Sequence, residues 1–256
     1  FWFDRTAELC PNYVVAVPDP NVIIGRRLDM LPIEIVVRDY LTGSTETSVW
    51  PMYARGERHV YGHQLPDGLV KNAKLPETII TPTTKGTAGA HDAPTTAEEI
   101  VAGGVLSPAQ WDDISAKSLA LFARGREIAA GNGLILVDTK FEFGTDETGT
   151  IVIADEILTP DSSRYWIAES YDGRMGRDEE PESLDKEFLR LWIAARCDPY
   201  REPVPEIPAE TLMAFSGKYV ELYERVTGRR FERPAAGVSV RDRVHAALAR
   251  ALPEFF

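Results

Sequence analysis

Hydrophobic and polar positions alternate most clearly in the middle of the chain. Residues 134–137 form a short apolar run, and polar and apolar side chains then take turns from 138 to 143. This period of two predicts a strand with one polar and one apolar face. Residues 151–156 predict a second strand, and the turn-rich segment 145–149 between the two predicts an antiparallel hairpin.

The register of this hairpin has a chemical consequence. A tight turn centred on Thr148 and Gly149 would place Glu142 directly opposite Asp155, and two facing carboxylates repel each other. A divalent cation between them would remove the repulsion, and Mg²⁺ commonly takes one or two protein carboxylates together with phosphate oxygens. We therefore predict a magnesium site at Glu142 and Asp155, with Lys140 as a positive charge on the same face. A solvated hairpin whose acids face water is the alternative.

Helical periodicity dominates the segment before the hairpin. Thr96 and Glu99 have the spacing of a capping box, and Ser107 followed by Pro108 predicts the start of a long helix. The Gly-Asn-Gly sequence at 131–133 would end that helix. One face of it is expected to be core, and this face comprises Trp111, Ile114, Ser118, Leu121, Phe122, Gly125, Ile128 and Ala129.

Short apolar runs predict further strands. Residues 14–17 and 22–24 are two such runs, and the Pro-Asp-Pro sequence at 18–20 predicts a turn between them. Residues 51–94 are rich in Gly, Pro and Thr and have little periodicity. One strand could lie within 75–82, and we expect 83–92 to be a long loop.

A β-branched run at 33–37 leads into Arg38 and then a Gly-Ser turn. The planar fork of Arg38 suits a carboxylate or a phosphate, Gly43 would let the backbone approach a ligand, and Ser44 offers a hydroxyl group. An ordinary ion pair at the end of a strand is the alternative for Arg38.

Helical spacing returns in the C-terminal third, after an expected exposed loop at 171–182. The Pro-rich segment 199–208 separates two apolar runs, and we expect their helices to pack the fold or an oligomer contact. The first run comprises Leu184, Phe188, Leu191, Trp192 and Ala195. The second comprises Leu212, Phe215, Tyr219, Leu222, Tyr223 and Val226, with Gly228 at its end and Ser239 as the cap of a last helix.

Composition narrows the class of protein. The chain has 256 residues, of which 44% are hydrophobic and 27% charged, which is ordinary for a globular protein. Its net charge of −12 argues against a general nucleic-acid binder, although anionic small molecules need only local Arg and Lys. No apolar run approaches the roughly 18 residues of a membrane span. The cysteines, Cys10 and Cys197, form neither a metal motif nor a disulfide framework, so a cytoplasmic location is the simplest interpretation.

The sequences DTKFEFG (138–144) and ADEILTPDSSRYW (154–166) closely resemble the signature of SAICAR synthase in its longer, fungal-like form. This purine-pathway ligase joins L-aspartate to carboxyaminoimidazole ribotide (CAIR) at the expense of ATP. The resemblance implies an α+β, two-lobed fold with antiparallel sheets and C-terminal helices, distantly similar to kinases and ATP-grasp enzymes. Residues 1–30 would be the remnant of an N-terminal ATP-binding lobe and hinge, and 31–256 the C-terminal lobe with the substrate and metal site. The family's Gly-rich ATP loop would precede Phe1, so we expect an N-terminally shortened chain.

The resemblance also implies roles for individual residues. Catalytic roles fall to Lys140, Lys85 and Asp92, with His91 as a weaker candidate. ATP would be bound by Arg27, Leu28, Met30, Lys85, Glu142 and Asp155. The ribotide would be bound by Arg38, Ser44, Asp138, Asp161 and Arg164.

The predicted function is that of an ATP-dependent ligase that makes SAICAR, ADP and phosphate through an acyl phosphate. Its cofactors would be ATP and Mg²⁺, and its partners CAIR and L-aspartate, with no nucleic acid and no membrane, as a monomer or small homo-oligomer. Two alternatives remain: a small-molecule kinase with the same Mg-ATP site, and a non-catalytic nucleotide-binding fragment.

Overall fold

The computed structural model describes residues 1–85, 93–199, 201–234 and 237–255. The strands are β1 (Val14–Asp19), β2 (Val22–Gly25), β3 (Asp29–Tyr40), β4 (His59–Val60), β5 (His63–Gln64), β6 (Lys74–Thr84), β7 (Ala93–Pro94), β8 (Leu134–Thr145), β9 (Ile151–Ala154) and β10 (Ser163–Ile167). The α-helices are α1 (Trp2–Arg5), α2 (Val49–Ala54), α3 (Ala97–Ala102), α4 (Pro108–Gly131), α5 (Ala168–Met175), α6 (Glu187–Ala194), α7 (Ala209–Thr227) and α8 (Val240–Ala251). A short 3₁₀ turn follows at Pro253–Phe255.

An antiparallel sheet of six strands has the order β10-β8-β3-β6-β7, with β9 as an additional partner of β8. Strand β8 lies at its centre because it pairs with β3 on one edge and with two strands in succession on the other. Strand β10 pairs with the first half of β8, and β9 pairs with residues 142–145. Almost every residue of β8 is buried, which explains its apolar start and the tight packing of its polar side chains.

Helix α4 covers one face of this sheet. Its N-terminus has Ser107 as the predicted cap, and a capping box forms there: Ser107 Oγ accepts from the Gln110 N–H and the Gln110 side chain accepts from the Ser107 N–H. The capping box predicted for Thr96 and Glu99 is present at the start of α3. Ile114, Leu121 and Phe122 are fully buried against apolar residues of the sheet. The predicted helix and its core face are confirmed, and the other face of the sheet is left for polar side chains.

The N-terminal strands form a separate two-stranded sheet. Pro18 lies within β1, and the turn is therefore one residue later than expected, at Pro20 and Asn21. Helix α8 packs on this hairpin, where Arg243 Nη1 lies 3.0 Å from Asp19 Oδ2.

The segment 51–94 has more regular structure than its weak periodicity indicates, and the strand expected within 75–82 is confirmed. The loop expected at 83–92 begins later, because residues 83 and 84 belong to β6, and 86–92 lie outside the described residues. Helix α2 opens the segment, and β6 extends over 11 residues with a proline at 76 and at 82. Prolines are tolerated because β7 covers only Thr83 and Thr84, so the rest of that edge of β6 needs no N–H donors for a neighbouring strand.

The C-terminal third also departs from expectation. Helix α5 occupies the first part of the expected loop at 171–182, because Tyr171 stacks on Trp166 with ring centroids 5.5 Å apart. Leu184 is buried but precedes α6, and Leu191 and Ala195 are exposed, so the predicted core face of α6 is wrong. Helices α7 and α8 are confirmed, and no described helix is long and apolar enough to cross a membrane.

Candidate active site

The register of the central hairpin differs by one residue from the prediction. Glu142 pairs with Ala154, not with Asp155, and Asp155 follows the end of β9 with a φ of 57°. The reason is the loop, which has five residues between the paired Thr145 and Ile151. Asp146 closes it, because its Oδ1 accepts from the N–H groups at 148 and 150.

The two carboxylates nevertheless meet on one cation. The Lys140 ammonium forms ion pairs with Glu142 and with Asp155, whose Oδ2 is 3.4 Å from Nζ. Glu34 Oε1 lies 3.3 Å from the same nitrogen, and Lys85 pairs with the second oxygen of Glu142. We call these five residues the lysine–acid end of the site.

Charge pairing at this end shifts two pKa values in opposite directions. Burial alone would lower the pKa of Lys140, but the carboxylates of Glu142, Glu34 and Asp155 raise it well above its ordinary value. Burial likewise would raise the pKa of Glu142, but Lys140 and Lys85 lower it. Lys140 and Glu142 are therefore charged at neutral pH.

A second cluster lies two residues back along β8. Asp138 is paired in register with Arg38 on β3 and with Arg164 on β10, so an arginine flanks it on each neighbouring strand. Asp138 Oδ2 lies 2.9 Å from Arg38 Nη1 and 2.6 Å from Arg164 Nη1. Arg38 and Asp138 are only 4% and 3% exposed, and Arg38 Nε also donates to Thr81 Oγ1 at 2.8 Å.

The two arginines respond differently to this burial. Desolvation lowers the pKa of Arg38 despite its pairing with Asp138. For Arg164, the carboxylates of Asp138, Glu187 and Asp185 outweigh desolvation and raise the pKa. Arg164 Nε is buried without a hydrogen-bond partner in the described structure.

The start of α6 completes this side. Glu187 accepts from Ser44 Oγ at 2.9 Å, and its Oε2 lies 3.5 Å from Arg164 Nη2 and from Arg190 Nη1. Lys186 Nζ lies 3.3 Å from Asp161 Oδ1. We call this cluster the arginine end, and it comprises Arg38, Ser44, Asp138, Asp161, Arg164, Lys186, Glu187 and Arg190.

Gly43 allows the chain to pass close to this end. Its φ of +101° suits glycine, and a Cβ there would lie 2.2 Å from Ser48 Oγ and 3.2 Å from Arg164 Nη2. The Gly-Ser turn thus lies directly against Arg164.

A cavity of about 320 Å³ joins the two ends. It is lined by Glu34, Val36, Arg38, Thr45, Ser48, Asp138, Thr139, Lys140, Asp161, Ser162, Ser163, Arg164, Lys186 and Arg190. Of the predicted site residues, Arg38, Asp138, Lys140, Asp161 and Arg164 therefore share one cavity. Glu142 and Asp155 are tied to it through Lys140, and Lys85 pairs with Glu142. Ser44 is tied to it through Glu187, which contacts Arg164. Asp92 and His91 lie outside the described residues.

The first residues of β3, with Leu28 just before them, lie against β8 beside the lysine–acid end. A Cβ on Gly144 would lie 2.8 Å from Leu28 Cβ and 3.0 Å from the Asp29 carbonyl oxygen. Leu28 and Met30, predicted to be near adenine, are thus held within two residues of Glu142 along β8, whereas Arg27 is exposed.

Sequence reasoning missed Glu34, Lys186, Glu187 and Arg190. The signal for Lys186 and Arg190 was their spacing of four residues, which places two cations on one helical face. The apolar residues of the same segment predicted a buried helix, so the spacing of the two cations was overlooked.

Comparisons with known proteins identify the family of this chain. The family model for SAICAR synthetase matches residues 1–207. The phosphoribosylaminoimidazole-succinocarboxamide synthase of Legionella pneumophila (strain Paris) is 49% identical over 245 residues, which cover 95% of this chain and 78% of the relative.

Solved structures give the same result. The SAICAR synthase of Saccharomyces cerevisiae complexed with SAICAR superposes with a TM-score of 0.73 at 28% identity, covering 91% of this chain and 79% of the other. A SAICAR synthetase in complex with ADP gives a TM-score of 0.66 at 27% identity, covering 91% and 78%.

Fold and site together define an α+β ligase of the SAICAR synthase class. The chain belongs to the SAICAR synthetase family, which confirms the resemblance and the predicted fold class. The comparisons do not favour a small-molecule kinase or a non-catalytic fragment.

Proposed function

We propose that the cavity between β3, β8, β10 and α6 is where this purine-pathway ligase joins L-aspartate to CAIR with the use of ATP. One observation carries the assignment. Arg38, Arg164, Lys186 and Arg190 all line a single cavity, in a chain whose net charge is −12. Such a local concentration of cations on an acidic protein is suited to a small anionic substrate.

The arginine end would bind the ribotide. Arg164, Lys186, Arg190 and Ser44 present donors for its phosphate group, and a guanidinium matches phosphate oxygens with two parallel hydrogen bonds. The buried, unpartnered Arg164 Nε supports a ligand here, because buried polar nitrogens are normally satisfied. Arg38 would stay on Asp138 and hold it in place.

The carboxylates of the arginine end would bind the ribose of the ribotide. Asp138 and Asp161 line the cavity as carboxylates that can accept from ribose hydroxyl groups. Asp138 is held by two guanidinium groups, so its orientation is fixed before the ribotide binds.

The lysine–acid end would serve the nucleotide phosphates and Mg²⁺. Glu142 and Asp155 fit a divalent cation because their oxygens already converge on one ammonium nitrogen. The ion would take these two protein carboxylates and complete its shell with phosphate and water oxygens. Bound there, Mg²⁺ would neutralise charge on the transferring phosphoryl group.

The chemistry requires an activated acyl group, since a free carboxylate has no adequate leaving group. The γ-phosphoryl group of ATP would pass to a carboxylate oxygen of CAIR, giving an acyl phosphate and ADP. The amine of aspartate would then attack the acyl carbon, phosphate would leave with the bonding electron pair, and the amine nitrogen would lose a proton. Lys140 and Lys85 would hold positive charge near the phosphoryl oxygens, and Asp92 is proposed to order the same site.

The segment 26–30 is proposed as the hinge whose backbone holds adenine, through Arg27, Leu28 and Met30. Residues 1–30 would then belong to the ATP-binding lobe and 31–256 to the substrate lobe. The contact of Leu28 and Asp29 with Gly144 supports this, because it brings the segment close to Glu142. A cytoplasmic location, a monomer or small homo-oligomer, and the lack of a nucleic-acid partner remain proposals.

Two substitutions test whether the arginine end binds the ribotide and the lysine–acid end serves the nucleotide phosphates and Mg²⁺. We expect Arg164→Met to raise KM for the ribotide by about 100-fold, because a charged phosphate contact is lost. We expect Glu142→Gln to lower kcat by roughly 100- to 1,000-fold and to shift the Mg²⁺ requirement upward, with little change in that KM. ADP release would be measured with and without L-aspartate and CAIR.

Matched controls are Arg177→Met and Glu147→Gln, which change exposed groups outside the cavity. ADP release that is indifferent to both aspartate and ribotide would overturn the ligase assignment for this cavity. An Arg164 variant with the KM of the wild type would overturn the placement of the phosphate.

A further inference from the structure

Glu187 is a carboxylate placed among cationic and hydroxyl donors. Its Oε1 accepts from Ser44 Oγ, 143 positions away in sequence, at 2.9 Å. Its Oε2 lies 3.5 Å from nitrogens of Arg164 and Arg190. The side chain is only 13% exposed, and it contacts two arginines that line the cavity, although it does not line the cavity itself.

The position of this carboxylate is set by a buried neighbour. Asp185 is fully buried, and its Oδ1 accepts from the Glu187 N–H at 2.8 Å. Its Oδ2 accepts from the Tyr165 N–H, also at 2.8 Å. Because Tyr165 is on β10 next to Arg164, this clamp fixes the backbone of Glu187 relative to the guanidinium that it contacts.

Oxygen anions of a carboxylate and of a phosphate monoester compete for the same kinds of donors. We infer that Glu187 is a specificity-determining residue that acts as an internal anion: its carboxylate occupies the Ser44, Arg164 and Arg190 donors, and a substrate phosphate must replace it. This inference rests on the proposed placement of the ribotide phosphate at the arginine end.

The consequence is a uniform penalty on every anion that uses these donors. Inorganic phosphate has no base or ribose to make further contacts in the cavity, so its affinity stays low. A ribotide overcomes the same penalty with contacts made by its base and ribose. Glu187 therefore weakens binding, whereas a residue that merely orients Arg164 would strengthen it, and the two roles predict effects of opposite sign.

The test is Glu187→Gln, which keeps the size and an acceptor for Ser44 but removes the charge. Inorganic phosphate is the first probe, with its dissociation constant measured by calorimetry, and KM for the ribotide is the second. We expect both constants to fall by a similar factor, on the order of tenfold, because both anions displace the same carboxylate. The matched control is Glu179→Gln, whose carboxylate also pairs with two arginines, Arg174 and Arg177, but neither of these arginines lines the cavity, whereas Arg164 and Arg190 do.

Unchanged or weaker binding of both probes would overturn the inference. If Glu187→Gln lost its fold by circular dichroism, Glu187→Asp would carry the test, since its shorter side chain draws the carboxylate back from Ser44 and should also bind phosphate more tightly. The Arg164→Met variant distinguishes a failure of the proposed phosphate placement from a failure of the role of Glu187. If that variant keeps the wild-type KM, the proposed phosphate placement fails; if its KM rises while Glu187→Gln changes nothing, only the role of Glu187 fails.

Discussion

The two ends of the cavity are built from the same strand but have opposite charge balance. At the arginine end, four cations face the three carboxylates of Asp138, Asp161 and Glu187. At the lysine–acid end, three carboxylates face the two ammonium groups of Lys85 and Lys140. The first end therefore has a surplus of donors for an anion, and the second has a surplus of acceptors for a cation.

The difference arises from the period of a strand. Asp138, Lys140 and Glu142 lie on one face of β8 at intervals of two, and their cross-strand neighbours decide the local charge. On the neighbouring strands, arginines are paired with Asp138, whereas Glu34 is paired with Glu142. A ligase that brings a ribotide together with a metal-bound nucleotide needs both environments side by side, and one strand supplies them.

The largest expected effect comes from Asp138→Asn, which breaks the arginine end at its centre. The variant leaves two buried guanidinium groups close together without their shared carboxylate, and losing one partner of a buried ion pair costs about 3–5 kcal/mol. Urea unfolding would measure the loss. The control is Asp113→Asn, an i,i+4 surface pair with Lys117, for which about 0.5 kcal/mol or less is expected. Equal losses for the two variants would mean that Asp138 does not organise this end.

The second effect is a pH dependence of opposite sign at the two ends. Burial raises the pKa of Asp185, behind the arginine end, to about 7, although the Glu187 and Tyr165 N–H groups lower it. The native state then holds a proton that the unfolded state has released between about pH 4 and pH 7, so stability falls as pH rises through that window. The pKa of Glu142 is lowered, so its contribution is present above its ordinary pKa and is lost as pH falls below about 4.5.

Unfolding free energies at several pH values would resolve the two slopes. Asp185→Asn should remove a decline of up to about 3 kcal/mol between pH 4.5 and 7. Glu142→Gln should instead flatten only the acidic limb. A wild-type curve parallel to that of Asp185→Asn across the neutral window would contradict the raised pKa.

Much of the fold followed from local pattern, and the failures have physical causes. Strand β8 and helix α4 were predictable because the periodicity of each and the cap of the helix depend only on residues close together in sequence. The pairing of Glu142 with Ala154 was not, since it depends on how Asp146 closes a five-residue loop. One residue more or less in a hairpin loop moves every cross-strand partner.

Long-range pairing set the limit for the site as well. The family likeness identified Arg38, Asp138 and Arg164, and their convergence follows once β3, β8 and β10 are adjacent. Glu187 could not be found in this way, because its contact with Ser44 depends on the path of the chain through α5. The predicted role for Asp155 also needed side-chain geometry: its carboxylate reaches Lys140 although its backbone is out of register.

The smallest expected effect separates steric contact from backbone strain at the arginine end. Gly43 and Gly56 have similar φ values of +101° and +96°, but a Cβ would meet Ser48 Oγ and Arg164 Nη2 only at Gly43. Gly56→Ala should therefore cost only the backbone term, about 1 kcal/mol. Gly43→Ala should cost about 2–3 kcal/mol and also raise KM for the ribotide, because the added methyl group displaces Arg164. Thermal unfolding and steady-state kinetics of the two variants would measure this. If both variants lost the same stability and kept the wild-type KM, the Gly-Ser turn would not position the guanidinium, and the arginine end would depend on its strand neighbours alone.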